Sequence, residues 1–150
     1  MYVAVVGPGE TASSDDVAAA SAVGALLARA GCLVLTGGRG GVMAAATAAA
    51  NAAGGLTVAL LPGASREECA ATVALPTGLG ELRNGLLVRA ADAVIAIGGS
   101  WGTLSEIALA RRTGVPLITL GGWDVSGGEV ERAADPAAAV EWVLAHGSPR

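Results

Sequence analysis

The stretch Ala93-Val-Ile-Ala-Ile-Gly-Gly-Ser-Trp-Gly-Thr-Leu-Ser-Glu-Ile-Ala-Leu-Ala110 constrains this chain more than any other. Five apolar residues, Ala93 to Ile97, read as a strand buried on both faces. The chain then turns through Gly98, Gly99, Ser100, Trp101 and Gly102, and the pattern predicts a helix from about Thr103 with Glu106 in its first turn. A buried strand feeding a glycine loop at a helix N-terminus can bind an anion. Glycine lets backbone N–H groups approach a ligand closely, and the helix dipole favours negative charge there. The loop therefore predicts a phosphate site, with Gly98, Gly99, Ser100, Trp101, Gly102 and Thr103 as its binding residues.

The rest of the chain repeats the strand–loop–helix pattern. Tyr2–Val6 predicts a strand, followed by Gly7-Pro-Gly-Glu-Thr-Ala12 and a helix capped by Ser13 or Ser14 and stopped at Gly31. Cys32–Thr36 predicts a second strand. It leads into Gly37-Gly-Arg-Gly-Gly41 and an alanine-rich helix from Val42 to about Ala53. Leu56–Leu61 predicts a third strand. Arg66–Glu68 reads as a short helix start and Thr72–Leu75 as a short strand. Glu81 to Ala91 reads as a helix. Beyond the opening stretch come a strand over Pro116–Leu120, a glycine-rich loop over Gly121–Gly128, a helix capped by Asp135-Pro136 and a frayed tail over Gly147–Arg150. Such alternation predicts an α/β fold, a Rossmann-like three-layer sandwich with a mostly parallel sheet and helices on both faces, built as one domain over residues 1–150. In such sheets the strand-to-helix loops share one edge. The loops after Val6, Thr36 and Ile97 therefore converge, bringing Gly37, Gly38, Arg39 and Gly41 to the phosphate site. Gly7, Gly9, Met43 and Asn84 complete the pocket set.

Composition narrows the partners. An apolar content of 53% with only 15% charged residues excludes disorder. A net charge of −4 argues against nucleic acid or a membrane surface as partner, but not against a small anion. Cys32 and Cys69 lack ligand or redox spacing, and no metal site is expected. The absence of an export signal and of a long apolar run points to the cytoplasm.

Other phosphate motifs fit poorly. Gly7 to Ala12 matches the dinucleotide fingerprint formally, but the second strand ends in Thr36-Gly37-Gly38 without the ribose-binding acid. No Gly-Lys-Ser/Thr pair exists for a P-loop. Arg39, Arg83 and Arg89 are the candidate bases, with Arg89 on a solvated helix face. Glu106 has two readings. It forms a capping box with Thr103, since Thr-x-x-Glu has the right spacing, or it acts on the ligand.

Gly98-Gly-Ser-Trp-Gly-Thr-Leu-Ser-Glu106 resembles the Pro-Gly-Gly-x-Gly-Thr-x-x-Glu motif of the LOG phosphoribohydrolases, once labelled lysine decarboxylases. Thr36-Gly-Gly-Arg-Gly-Gly-Val-Met43 is similar to that family's second glycine motif. Arg83, nine positions before Asp92, matches the family's catalytic arginine. Within the superfamily, Thr77 to Asn84 followed by Ile97-Gly98-Gly99 is most similar to a branch that includes molybdenum-cofactor carrier-like proteins. Ile97 stands where the motif has proline, and Asn84 where LOG enzymes have lysine. The resemblance implies a nucleoside 5′-monophosphate held by the loop and hydrolysed to base and ribose 5-phosphate, with Arg83 and Glu106 catalytic and a homodimer or higher homo-oligomer as the assembly. Its carrier-like branch implies the alternative: non-catalytic binding of a nucleotide or a phosphorylated pterin. No other cofactor is required.

Overall fold

The computed structural model describes residues 1–66, 69–125 and 130–149. The expected helix start at Arg66–Glu68 and the end of the Gly121–Gly128 loop fall largely outside them, as does Arg150.

Among the described residues, seven strands form one parallel sheet: β1 (Tyr2–Val6), β2 (Leu33–Thr36), β3 (Thr57–Leu61), β4 (Val73–Pro76), β5 (Ala93–Ile97), β6 (Leu117–Leu120) and the two-residue β7 (Glu131–Arg132). Their spatial order is β4-β3-β2-β1-β5-β6-β7. β5 and β6 are buried at every residue, because helices cover both faces of the sheet centre. Side chains alternate between two cores. Val3, Val5, Ile95 and Ile97 meet α1 (Ser14–Arg29), α2 (Val42–Ala52) and α5 (Pro136–His146). Ala4, Val6, Val94 and Ala96 meet α3 (Arg83–Ala90) and α4 (Trp101–Thr113). The α/β architecture expected from the alternating pattern is the one observed, with a wholly parallel sheet.

Two local readings needed correction. The expected Glu81–Ala91 helix divides into a 3-10 turn over Gly80–Leu82 and α3. Helix α4 starts at Trp101, two residues before the expected start. Ser100 is extended (φ −153°, ψ 168°) and its Oγ accepts the Thr103 N–H at 3.1 Å, so the chain is helical as soon as it leaves the cap.

The sheet order fixes where a ligand can sit. From β1 the chain runs outward through β2, β3 and β4, then returns to place β5 on the other side of β1. The loops after β1 and β5 thus diverge at a topological switch point and leave a crevice at the carboxyl ends of the strands. The β2–α2 loop borders it.

Candidate anion-binding cleft

An open cleft of about 1440 Å³ occupies this crevice. Its walls come from the loops after β1, β2 and β5, from α3 and from the first turns of α4. The structure brings Gly7, Gly9, Gly38, Arg39, Met43, Arg83, Asn84, Ser100, Trp101, Gly102, Thr103 and Glu106 to its lining. Four residues of the expected set, Gly37, Gly41, Gly98 and Gly99, are not on this lining. Gly98 and Gly99 border a recess of about 10 Å³ on the other side of the loop. Gly37 lies beneath Arg83, and Gly41 (φ 60°) lets its loop press onto the carbonyls of Pro8 and Gly9.

The N-terminus of α4 is the first element of the site. Ser100 Oγ takes the Thr103 N–H and lies 2.8 Å from Thr103 Oγ1. The Leu104 N–H reaches the Ser100 carbonyl. That leaves the N–H groups of Gly99, Ser100, Trp101 and Gly102 without an acceptor among the described residues. Trp101 and Gly102 stand at the cleft as the first two helical residues, where unpaired N–H groups and the dipole attract an anion. Thr103 does not start the helix, so the capping box with Glu106 is not formed. The loop itself is held from behind. Gly98 (φ 65°) donates to the Leu120 carbonyl at 3.0 Å, and Trp123 lies against Gly99, edge-on to Trp101 at 5.0 Å between centroids. Trp123 thus supports the loop from the recess side and does not line the cleft; Trp101 remains 79% exposed.

The second element is a buried ion pair. Arg83 and Glu106 are only 4% and 5% exposed, yet Arg83 Nη1 stays 3.8 Å from Glu106 Oε1. That separation is a charge contact, not a hydrogen bond. Arg83 Nη1 donates instead to Asn84 Oδ1 at 2.9 Å, and Arg83 Nε is buried without an acceptor among the described residues. Burial pushes the Glu106 carboxyl up from an ordinary 4.5 to about 7, against the pull of Arg83 and with a small contribution from Glu81. Burial also lowers Arg83, while Glu106 and Glu81 oppose the change. Neither ion is fully satisfied by the other, which leaves bonding capacity for a ligand.

An outer pair, Arg39 Nη1 to Glu81 Oε1 at 3.8 Å, lies at the solvent-exposed rim. Arg89 is exposed on α3, as expected from its spacing. Several cleft residues escaped the sequence reading: Glu10, Thr11, Thr47, Cys69, Glu81 and Ser105. Nothing in their local spacing marks them, since they reach the cleft from separate parts of the chain: the β1–α1 loop, α2, the segment before β4, the 3-10 turn and α4. Among the described residues no cluster of three or more His, Cys, Asp or Glu side chains gathers, and no helix is long and apolar enough to cross a membrane.

Comparison with known proteins gives the site a context. Residues 1–144 match the family described as the SLOG cluster4 family. An uncharacterized protein of Archaeoglobus fulgidus is 38% identical over 122 residues, 80% of each chain. The molybdenum cofactor binding protein of the phototrophic bacterium Rippkaea orientalis superposes with a TM-score of 0.91 at 38% identity, over 96% of this chain and 95% of its own. The molybdenum cofactor carrier protein of Chlamydomonas reinhardtii gives 0.88 at 32% identity, over 96% of both.

Proposed function

The chain belongs to the SLOG cluster4 family, and we propose that it binds a phosphorylated pterin of the molybdenum-cofactor type as cargo, through its phosphate. The observation that carries this reading is the free N-terminus of α4 facing a cleft whose wall contains a buried, incompletely paired Arg83. Likeness to two proteins described as binding or carrying that cofactor supports it. The phosphate oxygens take the N–H groups of Trp101 and Gly102, with Arg83 as the counter-charge. Ser100 and Thr103 hold the helix start in place. An open cleft of about 1440 Å³ leaves room for the ring system beside Gly38, Met43 and Trp101.

A second reading keeps the same phosphate site and adds hydrolysis of a nucleoside 5′-monophosphate. The Arg83–Glu106 pair favours it, because a carboxyl with a midpoint of about 7 is half ionised near neutrality. Its carboxylate would stabilise the oxocarbenium-like charge that develops on the ribose as water cleaves the N-glycosidic bond.

One experiment separates the two. Protein purified under reducing, oxygen-free conditions is denatured and its ligand identified by mass spectrometry. The same preparation is incubated with a panel of nucleoside monophosphates and assayed for ribose 5-phosphate. A retained phosphorylated pterin without turnover supports the carrier. Release of ribose 5-phosphate that is lost in Glu106→Gln supports the hydrolase. Failure to bind any phosphorylated compound overturns both. We further propose a homodimer or higher homo-oligomer, as the family resemblance implies, and a monomeric mass by light scattering would refute it.

A further inference from the structure

The ligand-facing arginine does not hold itself in place. A directed chain of hydrogen bonds runs from it into the start of α4. Ser105 Oγ donates to the Gly102 carbonyl at 2.7 Å, so only its lone pairs remain for other partners. Asn84 Nδ2 donates to that Oγ at 3.2 Å. The amide is thereby oriented with Oδ1 toward Arg83, where it accepts from Nη1 at 2.9 Å. Gly37 confines the guanidinium from another side: a Cβ there would fall 2.6 Å from Arg83 Cζ and closer to both Nη atoms. Fixed by these contacts, Arg83 stands 3.8 Å from Glu106 instead of closing on it.

We propose that Asn84 is a positioning residue: bound through Ser105 to the first turn of α4, it holds the Arg83–Glu106 pair open for an oxyanion. The inference rests on the reading of this cleft as a phosphate site. Without Asn84, the guanidinium has Glu106 as its nearest buried acceptor and closes on it. The bidentate pair then competes with the ligand. Glu106 is faced by Arg83 from α3 and by Glu81 from the 3-10 turn, while Arg39 acts on Arg83 from the β2–α2 loop, and Glu10 and Cys69 line the same cleft.

The test follows the Cδ resonance of Glu106 in 13C-glutamate-labelled protein, assigned with Glu106→Gln, alongside calorimetric binding of sulfate, which stays ionised across neutral pH. Wild type should titrate near 7, where burial places the carboxyl. Asn84→Leu removes the acceptor at similar volume. Its Glu106 midpoint falls by about one pH unit as Arg83 closes in, and sulfate affinity drops about tenfold. Asn84→Asp keeps an acceptor for Arg83 and adds negative charge, so its Glu106 midpoint does not fall; simple loss of packing would move both variants alike. Ser105→Ala, at an exposed site, shifts the midpoint in the direction of Asn84→Leu by less, and serves if either Asn84 variant fails to fold. An unchanged Glu106 midpoint in Asn84→Leu, or in Ser105→Ala where that variant stands in, overturns the proposal. Absence of sulfate binding to wild type instead counts against the phosphate site itself, and the resonance still decides whether Asn84 positions Arg83.

Discussion

Replacing Glu106 by glutamine should change how stability depends on pH, and burial of the carboxyl sets the sign and the order of magnitude. The carboxyl is 5% exposed, with its midpoint raised from 4.5 to about 7 chiefly by burial. Between those values the folded protein binds more protons than the unfolded chain. Stability therefore declines as pH rises through that window: the contribution is fully present below about 4.5 and lost above about 7. At ~1.4 kcal/mol per pH unit, the span corresponds to about 3 kcal/mol. For a domain of this size that is roughly 6–12 °C in Tm. Glutamine keeps the shape and cannot ionise, so Glu106→Gln should match wild type near pH 4 and exceed it by about 3 kcal/mol near pH 8. Urea unfolding at four pH values measures this. Other carboxylates titrate in both proteins and cancel in the difference. Parallel stability curves for the two proteins would mean that the buried carboxylate carries no such penalty, and the reasoning about an incompletely paired Glu106 would fail.

Gly37→Ala places a methyl against the Arg83 guanidinium, so sulfate or adenosine 5′-monophosphate should bind about tenfold more weakly by calorimetry, at a stability cost of about 1–3 kcal/mol. Ser100→Ala removes the α4 cap and should cost about 1 kcal/mol in urea unfolding. Gly102→Asp separates folding from binding: an acid in the first turn suits the helix dipole, so stability should hold within about 1 kcal/mol, while repulsion lowers phosphate affinity at least roughly tenfold.

The site was partly legible before folding because its backbone elements are local. Gly98 to Gly102 follow a five-residue apolar run, and a strand, turn and helix start can be read within ten residues. Ser100 shows the limit of that reading. Serine and Thr103 both have capping chemistry, and spacing alone made Thr103 with Glu106 an equally good box. The structure chose Ser100, which placed Glu106 in the second turn of α4, facing Arg83. The expected glycine set mixed two roles in the same way. Gly102 borders the cleft with no neighbour pressing on it, whereas Gly37 and Gly41 are glycines because Arg83 and the Pro8–Gly9 carbonyls press on them. A sequence prints the same letter for a glycine that faces an open cleft and for one that accommodates a neighbour.

By itself, the sequence determined the alternation of apolar strands and glycine-ended helices, and hence a parallel α/β sheet with its loops on one edge. Those patterns depend on contacts within a few residues and on burial of whole elements, which hydrophobic spacing records. Only the tertiary structure decided that β5 lies beside β1, that Arg83 meets Glu106 across 23 positions of chain, and that Asn84 and Ser105 hold them apart. The reason is physical. A midpoint of about 7 for Glu106 arises chiefly from its burial, and desolvation belongs to the packed assembly and not to any stretch of it.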